Sequence, residues 1–360
     1  MKIYFTHKLG TVFGLLCVFL FNLAVAAPTP WTEAEIHKYI ERKLKRNDRV
    51  LRLNGIYLGD AGAQALARFP IMETVEELVI YDGGLGDQGV QALAGSDRLH
   101  RLTSLSLETN HITDEGARFI ADAQNFEHLE VLNLHRNLIS DKGAKALADS
   151  KSLGKLKELN LNYNRIGDEG AKQLFSSEYL KNIEKVGLAY NLLGQQGKET
   201  YERFNILKRI EGLHKESRMN EVGLILHGDL AMSVLLNSTY AADIIELDLE
   251  RSGLTDATAL ALAQTANLKR LESLNLSGNS ITDEGARALA QATQLVNLKR
   301  LNLNFNLIGD KGAKAIANSQ SLANLQSLKL GQNRIGGEGA RALAESKTLT
   351  RLQHPVFGFY

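Results

Sequence analysis

Short runs of alternating hydrophobic and polar residues recur along this chain. Leu105 and Leu107 enclose one polar residue, which predicts a short β-strand with one buried face. A second run follows, in which Ala117, Ile120 and Ala121 recur at helical spacing and predict an α-helix with an apolar stripe. Each stretch therefore predicts one strand followed by one helix.

The strand–helix unit repeats with a step of 27 residues. The second apolar residue of each strand is, in chain order, Leu53, Ile80, Leu107, Leu134, Leu161, Leu188, Leu249, Leu276, Leu303 and Leu330. Leu188 and Leu249 are 61 residues apart, which is two periods plus seven, so the phase is lost once. The pattern predicts a β/α solenoid that is stabilised by contacts between neighbouring repeats.

The spacing divides the chain into arrays on either side of a break. We predict six repeats over residues 50–197, an irregular break or degenerate repeat over residues 198–243, and four repeats over residues 244–354. Within the break, residues 222–226 are predicted as a strand and residues 229–240 as a helix. The break is also a candidate hinge or binding insertion.

An asparagine follows each strand of the regular repeats. Its amide both donates and accepts, so we expect it to bond backbone groups left unpaired in its own turn and in the next coil. Asp114 then stands at a helix start, where a short acceptor is expected to cap free N–H groups. The predicted structural ladder comprises Asn110, Asn137, Asn164, Asn191, Asn279, Asn306 and Asn333.

The repeats resemble a known family. The pattern L-x-x-L-x-L-x-x-N-x-I/L followed by D-x-G-A-x-A-L-A is similar to the ribonuclease-inhibitor-type leucine-rich repeat, and the resemblance covers roughly residues 50 to 354 apart from the break. Bacterial secreted and effector-type members are the nearest likeness. The resemblance implies protein–protein recognition, including enzyme inhibition and GTPase regulation.

The expected architecture is an α/β horseshoe. Strands stack about 4.8 Å apart, whereas helices are about 10 Å wide, so a stack of such units bends. A parallel β-sheet then lines the concave face and α-helices cover the convex face.

The two ends differ from the repeats. Residues 1–26 have a basic start, an apolar run and the small residues Ala24-Val25-Ala26, which predict a secretory signal peptide cleaved near Ala26. An uncleaved anchor and lipidation at Cys17 are the alternatives. Residues 27–49 predict an N-terminal capping helix, and the aromatic tail 355–360 is expected to seal the last repeat.

Composition narrows the functional classes. Hydrophobic residues make up 44% of the chain and aromatic residues only 6%, so the core must be aliphatic. Without residues 1–26 the chain has 40 basic and 41 acidic residues, which gives no electrostatic reason to bind nucleic acid or an anionic membrane. Cys17, the only cysteine, leaves with the signal. An exported chain without disulfides favours a bacterial origin, in the periplasm or outside the cell.

Side chains that alternate with the buried leucines are expected to form the partner-binding face. Arg136, Tyr163 and Tyr190 occupy one column in consecutive repeats, so they are expected to lie about 5 Å apart and to allow a cation–π contact. Tyrosine and arginine are enriched in binding hot spots. The alternative is that they only stack on each other. The full predicted set is Tyr81, Glu108, His135, Arg136, Asn162, Tyr163, Tyr190 and Phe305.

The sequence predicts no catalysis. Glu108 and His135 could be read as an acid–base pair, but a surface hydrogen bond is the favoured interpretation. We find no cofactor or metal motif: the Asp114-Glu115 copies lack alternating ligands, and Gly83–Gly86 lacks a phosphate-loop lysine.

The leading hypothesis is a non-catalytic exported bacterial scaffold that binds a protein on its concave face, with a host-directed effector as one form. The alternatives are an enzyme inhibitor or GTPase-activating regulator, and an envelope glycan-binding protein.

Overall fold

A computed structural model describes residues 31–353 of the chain. The predicted signal peptide 1–26, the start of the predicted cap and the tail 355–360 lie outside the described residues. Contacts divide the chain after Leu192 into two compact units, which we call unit 1 and unit 2.

Unit 1 begins with helix α1, Glu33–Leu44, whose start is fixed by a capping box between Thr32 and Glu35. Ile36, Ile40 and Leu44 of α1 are buried. Six strands follow: β1 Val50–Arg52, β2 Glu77–Val79, β3 Ser104–Ser106, β4 Val131–Asn133, β5 Glu158–Asn160 and β6 Lys185–Gly187. The helices between them are α2 Gly59–Arg68, α3 Asp87–Ala94, α4 Asp114–Asp122, α5 Asp141–Ala148 and α6 Asp168–Phe175.

The six strands form one parallel sheet in sequence order. Residues one repeat apart are paired, as Leu105 with Leu132 and Leu132 with Leu159. These leucines and the apolar stripe of each helix are almost completely buried between sheet and helices. The predicted α/β class, with parallel strands and one helix per regular repeat, is confirmed.

Unit 2 contains the break and a second parallel sheet. The long helix α7, Gln195–Lys215, is followed by the single-turn helix α8, Val222–Ile225, and by α9, Gly228–Asn237. Four strands form a sheet in the order β10-β9-β8-β7. The strands are β7 Glu246–Asp248, β8 Ser273–Asn275, β9 Arg300–Asn302 and β10 Ser327–Lys329. The remaining helices are α10 Asp256–Gln264, α11 Asp283–Ala290, α12 Asp310–Ala317 and α13 Gly337–Ala344.

The prediction of a strand over residues 222–226 is wrong. Residues Val222–Ile225 form α8, which packs against strand β7 instead of extending the sheet. Gly223 permits this packing: a Cβ atom there would lie 2.7 Å from the carbonyl carbon of Asp248 and closer still to its oxygen. An apolar run of five residues is compatible with either a buried strand or a buried helix, so the pattern alone could not separate them.

An aspartate at the start of each regular helix joins that helix to the next repeat. The Asp114 carboxylate accepts hydrogen bonds from the backbone N–H groups of Ser140 (2.7 Å) and Gly143 (2.9 Å). The expectation that Asp114 caps its own helix is wrong, since Thr113 occupies that N-cap. The inter-repeat bonds recur at Asp60, Asp87, Asp141, Asp256, Asp283 and Asp310. Gly143 is required for this approach, because a Cβ atom would lie 2.6 Å from the Asp114 oxygen.

The asparagines hold the turns that follow the strands. The Asn137 side-chain oxygen accepts from Ile112 N–H (3.1 Å) in the preceding repeat. Its amide nitrogen donates to the carbonyls of Leu107 (3.0 Å) and Leu134 (3.1 Å). The same arrangement recurs at Asn164, Asn191, Asn279, Asn306 and Asn333. Each amide therefore links consecutive repeats through three main-chain groups.

In the first regular repeat of unit 2, the aspartate that accepts the inter-repeat hydrogen bonds is Asp229 of helix α9. Asp229 accepts from the Thr255 hydroxyl and the Thr258 hydroxyl, each at 2.6 Å. Partial burial raises the pKa of Asp229, but the hydrogen bonds from Thr255 and Thr258 outweigh it, so the pKa lies below its ordinary value. The charged form therefore stabilises the folded state.

We expect this stabilisation to be present above the ordinary aspartate pKa of about 3.9, and to be lost as the pH falls through the lower folded value. Urea unfolding of the wild type and Asp229→Asn at a series of pH values measures it. The difference in unfolding free energy between the two proteins should shrink between about pH 5 and pH 3. A difference that does not change with pH would contradict the assignment.

Candidate functional site

The exposed face of the unit 1 sheet carries the predicted partner-binding residues. Each strand is only three residues long, so the second leucine of each repeat and the two residues after it lie beyond the strand end. His135 and Arg136 are therefore in the turn that follows β4, not in the sheet itself. We expected these residues to alternate with the buried leucines within a β-strand. That expectation is wrong for His135 and Arg136, which lie beyond the strand end.

The column that contains Arg136 has an unusual backbone in every regular repeat. Arg136, Tyr163 and Tyr190 have φ values of 55°, 56° and 57°, in the left-handed region that favours glycine. The same conformation occurs at Gly55, Asp82, Thr109, Arg251, Gly278, Phe305 and Gln332. Large side chains at such positions carry a conformational cost, and strained positions of this kind concentrate at functional sites.

Three aromatic rings contact one another in sequence on this face, and we call them the aromatic ladder: His135, Tyr163 and Tyr190. The Tyr163 and Tyr190 rings are stacked with centroids 4.2 Å apart. The edge of His135 meets Tyr163 at 5.0 Å. Tyr190 is 73% exposed and Tyr163 is 45% exposed, so the ladder presents a large aromatic surface to solvent.

Polar side chains lie at the His135 end of the aromatic ladder. His135 Nδ1 lies 3.3 Å from Glu108 Oε1, and the Asn133 amide donates to the other Glu108 oxygen at 3.1 Å. Both Glu108 and His135 are partly buried. The expected hydrogen bond between Glu108 and His135 is not formed, since the buried His135 Nδ1 has no hydrogen-bond partner among the described residues.

Arg136 stands beside the ladder without stacking on it. Among the described residues, its guanidinium has no ion pair and lies over no aromatic ring, so the expected cation–π contact with Tyr163 is not formed. Desolvation and a hydrogen bond with Tyr190 raise the pKa of Tyr163, and the positive charge of Arg136 partly offsets this. The guanidinium is thus near the phenol and available to a partner.

The other predicted residues are less closely grouped. Tyr81 is exposed on the same face two repeats before His135, and the Asn162 side chain accepts from Ala189 N–H at 2.7 Å. Phe305 is 59% exposed but belongs to unit 2. The structure therefore brings together Glu108, His135, Arg136, Tyr163 and Tyr190, with Asn162 as backbone support.

Sequence reasoning missed Leu192, which is 69% exposed in the turn that carries Tyr190. The equivalent position after the ladder asparagine is polar in some repeats, as at His111 and Arg165, but it is also leucine at Leu138, so the sequence did not single out Leu192. Leu192 adds an apolar group to the candidate surface.

Thr109 tests the cost of the left-handed conformation without changing a ring of the aromatic ladder, since only its main-chain N–H contacts His135. Thr109 is β-branched with a φ of 57°, so we expect Thr109→Gly to raise the unfolding free energy by about 1 kcal/mol. Gly55→Thr is the reverse control, since φ there is 70° and a Cβ atom would meet nothing within 4 Å. It should lower stability by a similar amount in denaturant unfolding. Changes of the same sign in both variants would refute the strain.

Searches of the described residues found no helix long and apolar enough to cross a membrane. Among the same residues, no group of three or more histidine, cysteine or acidic side chains could hold a metal ion.

Comparisons with known proteins place the repeats in a family. A model described as Leucine Rich repeats (2 copies) matches residues 269–312. A model described as Leucine Rich repeat matches residues 99–121, 127–148, 155–175 and 321–344. No curated protein matches the sequence.

Solved structures with this repeating architecture are similar at low identity. An internalin (inlF) from Listeria monocytogenes is 19% identical, with 84% of this chain and 95% of that chain covered and a TM-score of 0.28. A leucine-rich repeat protein from Leptospira interrogans is 18% identical, with coverages of 85% and 71% and a TM-score of 0.30. Matches at this level carry no information about a partner. The matched repeats in both units, together with the parallel strands that alternate with helices, show that the fold is a leucine-rich repeat solenoid.

Proposed function

We propose that this chain is a non-catalytic scaffold that binds a protein through the exposed sheet face of unit 1. Leucine-rich repeat domains generally mediate protein–protein interaction, which supports the class of function. The observation that carries the site is the aromatic ladder, in which rings from three consecutive repeats contact one another and end on the highly exposed Tyr190.

The ladder has the properties of a binding hot spot. The two tyrosine rings are already held by stacking on each other, so little side-chain freedom is lost when a partner covers them. Arg136 adds a charged group without a partner among the described residues. Leu192 extends the apolar area beside Tyr190. Preorganised aromatic and arginine side chains are the groups that contribute most to protein interfaces.

The subclass and location belong to the same proposal. The motif supports a ribonuclease-inhibitor-type member, and the apolar segment before Ala26 supports export from a bacterium. A fusion of residues 1–30 to a reporter tests export: the reporter is expected outside the cytoplasm, and a reporter retained there would contradict it.

The binding site is tested by affinity capture with the purified chain, using host-cell lysate and bacterial envelope fractions. The variant Arg136→Ala/Tyr163→Ala/Tyr190→Ala should reduce capture of the specific partner by at least about tenfold, since single hot-spot truncations cost about 2 kcal/mol or more. Arg118→Ala/Tyr179→Ala is the matched control, because both residues are exposed in unit 1 away from the ladder, Arg118 on helix α4 and Tyr179 in the segment after α6. The control should bind as the wild type does.

The captured molecule distinguishes the forms of the proposal. A GTPase or hydrolytic enzyme among the captured proteins would make the chain a regulator or inhibitor on the same scaffold. Retention of every partner by the triple variant would show that the unit 1 face is not the binding site. Capture of glycan alone would replace the protein-binding proposal.

A further inference from the structure

A second candidate site lies on the exposed face of the unit 2 sheet. A groove of about 300 Å³ crosses strands β7 to β10. Its floor is the main chain at Leu247, Leu274 and Leu301, whose side chains are buried on the opposite side. One wall carries the first residue of each strand and the other wall carries the third. The groove therefore runs across the strands, and its volume is at the small end of ligand sites.

Charge changes sign along the groove. Strand β7 contributes Glu246 and Asp248, strand β8 contributes no charged residue to it, and strands β9 and β10 contribute Arg300 and Lys329. The repeat does not require this arrangement, because the strand positions that carry these charges are not buried in the core. The groove is thus acidic at one end and basic at the other.

The wall formed by the first residue of each strand contains two charged side chains, Glu246 and Arg300, and they pair with each other. Arg300 Nη2 lies 2.7 Å from Glu246 Oε1, and Arg300 Nε donates to the Ser273 hydroxyl at 3.2 Å. This cross-link spans three strands and closes one side of the groove. A charged ligand would gain little from this wall.

Within the described part of the chain, the wall formed by the third residue of each strand has polar atoms without a hydrogen-bond partner at both of its ends. Asp248 Oδ1 accepts from the Asn275 amide at 2.9 Å, but within residues 31–353 no hydrogen bond to Asp248 Oδ2 is formed. At the other end, neither Lys329 Nζ nor Asn302 Nδ2 has a hydrogen-bond partner among the described residues, and Lys329 is exposed. One free carboxylate oxygen therefore faces the groove from β7, and two free donors face it from β9 and β10.

We propose that this groove binds a short extended peptide by its two charged ends. The peptide ammonium lies at Asp248, and its terminal carboxylate lies at Lys329 and Asn302. Strands β7 and β10 are three strand spacings apart, about 14 Å. Four extended residues span at most about 13–14 Å, so a tetrapeptide matches the spacing of these two strands and a dipeptide does not.

The sign change selects this ligand over other charged molecules. A polyanion would be repelled by Asp248 and Glu246, and a polycation would be repelled by Lys329. A single small anion would contact only the β10 end. The site is on unit 2 and includes no residue of the aromatic ladder. The peptide-binding proposal is therefore tested independently of the function proposed for unit 1.

Isothermal titration of the full chain with the glycine series from diglycine to hexaglycine tests the distance. Tetraglycine should bind most tightly, and acetylation of its amino end or amidation of its carboxyl end should each weaken binding at least about tenfold, the loss of one charge-assisted contact. Equal affinity for free and blocked tetraglycine, equal affinity across all lengths, or no binding of any member would overturn the proposal.

Charge exchange in the protein tests the direction of binding. Asp248→Lys and Lys329→Glu should each abolish measurable tetraglycine binding, because each leaves the groove with one sign of charge at both ends. The double variant should recover it, since the peptide can bind in the reverse direction. Lys311→Glu on helix α12 makes the same charge change outside the groove and should bind as the wild type does. A double variant that folds, by circular dichroism, yet binds no better than the single variants would refute the two-ended contact.

Discussion

Gly223→Ala is expected to lower the unfolding free energy of unit 2 by about 3 kcal/mol or more. A Cβ atom at Gly223 would lie 2.7 Å from the Asp248 carbonyl carbon and would overlap the carbonyl oxygen. Both atoms belong to the main chain of β7, so no side-chain rotation can relieve the overlap. Helix α8 would have to move away from the strand edge that it covers, and Val222, which is almost fully buried, would be exposed with it.

Denaturant unfolding monitored by circular dichroism measures this loss, and hydrogen exchange at the β7 amides locates it. Gly212→Ala is the matched control. Gly212 lies within the long helix α7 and a Cβ atom there would meet nothing within 4 Å. That substitution should raise stability by about 0.5–1 kcal/mol, because alanine is the better helix former. Equal stability of the Gly223 and Gly212 variants would show that α8 does not pack tightly on β7.

The regular repeats could be predicted because their signal is redundant. One leucine in a three-residue strand says little, but residues such as Leu105, Leu132 and Leu159 at a constant step must pair in register in a parallel sheet. The break has no such redundancy. Residues Val222–Ile225 occur once, and their apolar run does not reveal whether Gly223 permits a strand or the close approach of a helix turn.

The candidate site also has features that the sequence predicts and features that it does not. The column of Arg136, Tyr163 and Tyr190 follows from the period, and the 4.2 Å spacing of the two tyrosine rings agrees with it. The left-handed backbone of the column was not deduced, although Gly55 and Gly278 at equivalent positions were a usable signal. The partner of each side chain depends on rotamers, so the sequence could not show that His135, and not Arg136, contacts Tyr163.

The asparagine ladder provides the second large expected effect. Asn137 is 5% exposed. Its side-chain amide accepts a hydrogen bond from Ile112 N–H and donates to the carbonyls of Leu107 and Leu134. We expect Asn137→Ala to lower the unfolding free energy by about 3–4 kcal/mol, because buried polar groups without a partner cost about 1–3 kcal/mol each. Denaturant unfolding of the variant measures the loss.

Asn191→Ala separates the effect of burial from that of the hydrogen bonds themselves. Asn191 makes the equivalent bonds, to Ile166 N–H at 2.9 Å and to the carbonyls of Leu161 and Leu188, but it is partly exposed. Water can replace the lost amide there, so the expected loss is about 1 kcal/mol. Equal losses at Asn137 and Asn191 would show that local turn geometry, and not desolvation between repeats, sets the energy. A larger loss at Asn137 would mean that desolvation of the unpaired main-chain groups between repeats, and not the number of hydrogen bonds, sets the energy.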